Sequence, residues 1–205
     1  MPQLRGDDFH DSLVYILDHG EQGAFGVVIN HELGMPLSEV FDQLDINPRD
    51  RLFGEEPVLR GGPVDQTHGL VLHPPGEVFE ATRKFNDQIA LSSSRDILEA
   101  LADGQGPQTH LILLGHAGWA PGQLEMEIAE NAWLTADADV DIVFHTPIAE
   151  KRAAVGKQLG IDLANIGARL ATREHQCAGL RLRQQTHWCC RRQHFAWHSC
   201  TTNRH

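Results

Sequence analysis

LGHAGWAPGQLEMEIAENAWL, residues 114–134, compresses a Gly-bracketed turn, two tryptophans and a carboxylate-rich segment into one short stretch. Gly115 and Gly118 let the chain leave a short apolar strand, His110 to Leu114, in backbone conformations that a Cβ forbids. Pro121 suits the first turn of a helix, where its missing N–H is no loss. Along that helix Leu124, Glu127, Ile128 and Asn131 fall at i, i+3, i+4 and i+7, so a carboxylate and an amide share a stripe with two core-type side chains. The spacing predicts Glu127 and Asn131 at the edge of the core. Trp119 and Trp133 bracket the helix, as core residues or as walls of a pocket.

Working outward, Ser12 to Leu17 and Ala24 to Asn30 are apolar, β-branched runs separated by the turn-rich Asp18 to Gly23, which predicts a hairpin. Pro36 to Leu44 reads as a short helix. Pro57 to Gly61 and Gly69 to Leu72 read as strands flanking a Gly-Gly-Pro turn, and Gln88 to Leu91 as another strand. Ser93 and Asp96 have the spacing of a capping box before a helix that runs to about Ala102, stopped by Gly104 to Pro107. Val140 to Phe144 reads as a strand, and Pro147 to Leu159 as a helix closed by Gly160. Strand-rich halves with scattered helices give an α+β class.

The 114–134 stretch resembles the signature of the AlgH/YqgE family of small bacterial proteins, L-G-x-A-G-W-x-x-G-Q-L-E-x-E followed by N-x-W-L. It matches at Leu114, Gly115, Ala117, Gly118, Trp119, Gly122, Gln123, Leu124, Glu125, Glu127, Asn131, Trp133 and Leu134, and departs at His116, where the family has an aromatic. His19 to Asn30, Gly61 to Val64, Gly69 to His73 and Ser92 to Asp96 match in the family's order, so the resemblance covers most of residues 1–170. It implies a mixed, partly barrel-like sheet with helices packed outside. It also carries a transcriptional-regulator label for some members, without an established biochemical activity.

At 205 residues, 41% hydrophobic and 22% charged, the chain has the composition of a globular domain with a sizeable core. Its longest aliphatic runs, such as Leu111 to Leu114, fall far short of the roughly 18 residues a membrane span needs. No basic and apolar leader opens the sequence. Charge divides it in two. Residues 1–172 hold 11 Lys+Arg against 27 Asp+Glu, whereas residues 173–205 hold 6 against 1, together with all four cysteines, Cys177, Cys189, Cys190 and Cys200. That tail lacks an apolar period and the C-x2-C spacing of a zinc site, although its Cys and His side chains are of ligand type. Its Arg, His, Trp and Cys enrichment is what an out-of-frame reading of a GC-rich gene produces. The resemblance stops near Arg169 to Thr172, so residues 1–172 are expected as the family-like domain and 173–205 as a frameshifted or readthrough, disordered tail; because family members begin with an apolar strand ending in Met-Pro, the resemblance also implies that the domain lacks its first strand at Met1-Pro2.

No dinucleotide, P-loop, zincin or serine-hydrolase fingerprint is present, so no residue is assigned as catalytic or metal-binding and no cofactor is expected. Glu125, Glu127 and Glu130 could pair for acid–base work or hold a divalent cation; the simpler reading is a solvated helix face with one core-edge hydrogen bond. His68, His73 and His116 lie near glycines at strand ends and could converge, but lone histidines are more often structural. Gly61-Gly62-Pro63 could form an anion nest or a plain tight turn.

Three functions follow. The leading one is a non-enzymatic regulatory or binding protein, cytoplasmic as a cysteine-free domain allows, acting through a protein partner or a small polar ligand. Its candidate ligand residues are Gly61, Gly62, Pro63, Gly115, His116, Gly118, Trp119, Glu127 and Asn131. The second is a direct DNA-binding regulator on a face made by Arg49, Arg51, Arg60, Arg83 and Lys84, which the net charge of -11 opposes. The third is an enzyme with a carboxylate and histidine site near residues 115–131 and 61–73.

Overall fold

A computed structural model describes residues 9–161 and the backbone of 187–191. Ten strands and five α-helices follow in the order β1 (Leu13–Gly20), β2 (Gly23–Val28), β3 (Glu32–Pro36), α1 (Leu37–Gln43), β4 (Pro57–Arg60), β5 (Val64–His73), β6 (Thr82–Lys84), β7 (Ala90–Ser92), α2 (Arg95–Ala102), β8 (Leu111–Trp119), α3 (Gln123–Ala129), β9 (Trp133–Asp137), α4 (Val140–Phe144), α5 (Lys151–Gln158) and β10 (His187–Arg191). The strands form one curled, mostly antiparallel sheet in the order β6-β7-β5-β8-β2-β1-β10-β9, with the β3–β4 pair joined through β8. This is the α+β, partly barrel-like class the sequence implied.

β8 is the spine. Its first half, Ile112 to Leu114, pairs parallel with β4 on one side and antiparallel with β5 on the other, while its second half, Ala117 to Trp119, pairs with β2. The exchange of neighbours happens at Gly115, whose φ of 74° marks an irregularity that also shifts the β5 register between Val64 and Gly69. There the end of β4 crosses over: the Gly61 N–H donates to Leu114 O at 2.8 Å, and Gly61 O accepts from the Val28 N–H at 2.7 Å. Gly61 thus stitches β8 to β2 as β4 departs. Gly115 and Gly118 therefore do not end the strand, as the sequence reading had it. β8 continues through both to Trp119.

Side chains on the two sides of this sheet build separate apolar clusters. Leu13, Tyr15, Val27, Leu59, Leu72, Leu113, Val143 and Val155 gather under α4 and α5; Leu37, Phe41, Val58, Val71, Ile97, Leu101 and Ile112 gather under α1 and α2. A third cluster, with Val14, Val28, Ala117, Trp119, Leu124 and Trp133, seats α3.

Four local expectations change. Val140 to Phe144 is a helix, not a strand: Asp139 accepts from the Asp141 N–H at 2.9 Å, and this N-cap decides between two states that a short, mostly apolar run leaves open. The capping box at Ser93 is not formed. Ser94 is the N-cap of α2, and its hydroxyl and the Asp96 carboxylate instead accept from the N–H groups of Ala81 and Glu80 in the β6 approach. Pro121 precedes α3, which begins at Gln123 behind Gly122 at φ 74°. Asn131 lies beyond the helix, exposed and at φ 59°, so it terminates α3 instead of sharing its apolar stripe.

The expectation about the first strand at Met1-Pro2 and most of the tail, including Cys177 and Cys200, lie outside the described residues. The backbone of His187–Arg191 pairs antiparallel with Leu13–Tyr15 on one side and Trp133–Asp137 on the other. Among the described residues, no helix is long and apolar enough to cross a membrane.

Candidate functional site

The two glycine segments singled out in the sequence do meet. Val64 stands opposite His116, and the Gly61–Gly62 backbone lies directly on the Gly115–His116 backbone. A Cβ on Gly61 would overlap the Gly115 carbonyl oxygen, and one on Gly62 would overlap the His116 carbonyl and come 2.5 Å from the Ala117 nitrogen. Main chain fills the space between the segments. Pro63 follows with its carbonyl accepting from Gln66, and His116 packs on the Phe25 ring at 5.0 Å. Gly118 is exposed with open space where a Cβ would go.

Glu127 organises a second knot. Its Oε2 accepts from the indole N–H groups of Trp119 at 3.1 Å and Trp133 at 2.6 Å, and its Oε1 from Gln123 Nε2 at 2.9 Å. Gln123 Oε1 in turn accepts from the Ala120 N–H, which closes the turn into α3. The indoles stand edge to face at 5.9 Å, and Phe9 stacks on Trp119 at 6.3 Å. Both tryptophans are core residues, 7% and 4% exposed. Glu125 pairs separately with His19 at 2.7 Å, so Glu125 and Glu127 look to different partners. Among the described residues no group of three or more His, Cys, Asp or Glu is arranged to hold a metal ion.

The three histidines also go separate ways. His68 is exposed on β5 and His116 meets Phe25, while His73 is fully buried. His73 Nδ1 donates to the Pro74 carbonyl, which leaves Nε2 to accept from the Ser92 hydroxyl at 2.9 Å; Ser92 Oγ lies 2.8 Å from Thr82 Oγ1, which accepts from the Phe79 N–H. Burial, the largest influence, lowers the His73 pKa and keeps the ring neutral, as this chain of donors requires.

A cleft that the sequence did not reveal lies at the opposite end of β4 and β8. It holds about 450 Å³ between the starts of those strands and the α4–α5 connection, with Glu56, Thr109, His110, His145, Thr146 and Lys151 among its polar walls. Lys151 is 1% exposed. It opens α5, where the helix dipole disfavours a cation, but its Nζ donates at 2.6 Å to Val143 O in the last turn of α4, where the dipole favours one. Burial pushes its pKa down to about 8. Across the cleft, His110 has only 8% of its side chain exposed; Nδ1 donates to Pro107 O at 2.8 Å and Nε2 sits 2.6 Å from Glu56 Oε2.

A pH experiment checks the buried amine. The unfolded chain keeps the proton up to about 10.5 and the folded chain releases it near 8, so the unfolded state binds more protons between these values and stability rises with pH across that window. The gain is on the order of 3 kcal/mol at its upper end. Urea unfolding of the wild type and Lys151→Met, compared between pH 7 and 10, is expected to show this rise in the wild type alone. Parallel curves would refute it.

Fold and site together define a small α+β domain in which a curled sheet, locked by a glycine crossing and a carboxylate–indole knot, carries a lysine-walled cleft. The chain belongs to the AlgH-like family, whose model matches residues 1–164. It is 44% identical over 166 residues to a UPF0301 protein of Thioalkalivibrio sulfidiphilus, covering 81% of this chain and 89% of the relative, and 40% identical over 166 residues to one of Nitrosospira multiformis, with the same coverage. Among solved structures it is similar to the solution structure of the AlgH protein from Pseudomonas aeruginosa, with a TM-score of 0.69 and 40% identity over 84% of this chain and 92% of that one.

Proposed function

We propose that this protein is a non-enzymatic, cytoplasmic regulatory protein that acts through a small polar ligand held in the Lys151 cleft, with ligand occupancy governing contact with a protein partner. The observation that carries this reading is the cleft itself, where a fully buried ammonium and a buried imidazole face about 450 Å³ of space. In this reading Gly61, Gly62, Pro63, Gly115, His116 and Gly118 serve the ligand indirectly. They fix β4 and β8, the two strands whose other ends wall the cleft. Trp119, Glu127 and Asn131 likewise set the exit from β8. Direct DNA recognition is disfavoured by the excess of carboxylates over basic groups in residues 1–172.

Native mass spectrometry of the full chain, purified gently from a bacterial host, tests the reading. A stoichiometric small-molecule adduct is expected, lost in Thr109→Trp, which crowds the cleft that Thr109 lines. A bare chain at all concentrations would reject the ligand reading, and a sequence-selective mobility shift would replace it with direct DNA binding.

A further inference from the structure

We infer that the cleft takes a small oxyanion, a carboxylate or phosphoryl group on a short apolar body, which pairs with Lys151, a buried lysine with no carboxylate partner among the described residues. The inference rests on the cleft being a ligand site and names the chemistry of its occupant.

A lysine is almost never fully buried without a partner charge, because taking an ammonium out of water is costly. Among the described residues no carboxylate lies within ion-pairing distance of Lys151 Nζ; its one hydrogen bond runs to the Val143 carbonyl. An ammonium has three donors, and among the described residues one is spent, on the Val143 carbonyl, which leaves two for a ligand. His110 makes a second, independent observation. Its Nε2 is buried and lies 2.6 Å from Glu56 Oε2, yet makes no hydrogen bond there, so this buried polar atom lacks a well-aligned partner. Glu56 is half-exposed and can swing away, which would leave Nε2 facing whatever group replaces its carboxylate.

The rest of the wall selects the ligand's body. Leu59, Phe144 and Ile148 line the same cleft, so an apolar tail can be buried beside the charged head. A neutral ligand would leave the ammonium uncompensated, and a cation would meet Lys151 directly. An oxyanion answers both Lys151 and His110.

NMR of the full chain labelled with 13C-lysine reads the site at Lys151 Cε. The probes are butyrate, methyl phosphate and the neutral isostere butyramide. Butyrate or methyl phosphate is expected to shift the Lys151 resonance saturably and to raise the pH at which it titrates, with butyramide weaker by about tenfold or more. Lys151→Met should lose the affinity by a similar factor, read on backbone amides of Thr109 and His110. A response to butyrate alone assigns a carboxylate ligand, and to methyl phosphate alone a phosphoryl ligand. Equal binding of butyramide would overturn the oxyanion while leaving a ligand cleft in place. Silence from all three probes would overturn the oxyanion too, and the mass-spectrometric adduct would then show whether the cleft binds anything else.

Discussion

Gly62→Ala is expected to cost the domain about 4 kcal/mol or more, enough to abolish folding in a protein of ordinary stability. The methyl group would land on the His116 carbonyl and within 2.5 Å of the Ala117 nitrogen, and both are main-chain atoms of β8. A flexible side chain could move aside at little cost. Here the neighbour is the spine of the sheet at the point where β8 exchanges β4 for β2, so relief would require separating strands on both sides. Gly61→Ala should behave alike, through the Gly115 carbonyl oxygen. The control is Gly118→Ala, where a Cβ meets open space and the backbone is an ordinary strand; it is expected to change stability by less than about 0.5 kcal/mol. Urea denaturation followed by tryptophan fluorescence distinguishes them. A soluble Gly62→Ala chain with a wild-type midpoint would show that the two segments do not touch as described.

That pair of glycines also shows what the sequence could and could not convey. The G-G-P turn and the glycines of the 114–134 stretch were legible as special positions, but a single chain does not state that their purpose is to touch each other. Contact between residues more than fifty positions apart is a tertiary fact. The hairpin β1–β2 and helix α2 were legible because each rests on local periodicity and turn chemistry. Val140 to Phe144 was not, since a five-residue, mostly apolar run fits a strand or a buried helical turn equally, and only the Asp139 cap favours the helix. Lys151 left a usable trace. It falls at i+3 from Ile148 and four before Val155 on the apolar face of its helix, a place where a solvated lysine does not belong. His110 left none, because its partner Glu56 arrives from a distant part of the chain.

Replacing Glu127 should separate a structural carboxylate from a ligand-binding one. Glu127→Leu removes the acceptor for two indole N–H groups and one side-chain amide, and leaves the Trp119 and Trp133 donors buried without partners. At roughly 1–3 kcal/mol for each stranded donor, and discounting for partial access of water, a loss on the order of 3 kcal/mol is expected. Glu127→Gln is the more informative change. Its amide oxygen can still accept from both indoles, but its NH2 then faces the NH2 of Gln123. Rotating Gln123 to relieve this would turn its own NH2 against the Ala120 N–H, which its oxygen now satisfies. One hydrogen bond is lost whichever way the amides turn, so about 1–2 kcal/mol is expected, with near-wild-type tryptophan emission in the folded state. A carboxylate whose task was to touch a ligand would give the opposite pattern, unchanged unfolding and lost binding. Because Glu127 spends both oxygens on groups of its own chain, its removal should register in the denaturation curve before any ligand is added. Unchanged stability of Glu127→Leu would mean that the indoles do not depend on it and would return the residue to the list of recognition groups.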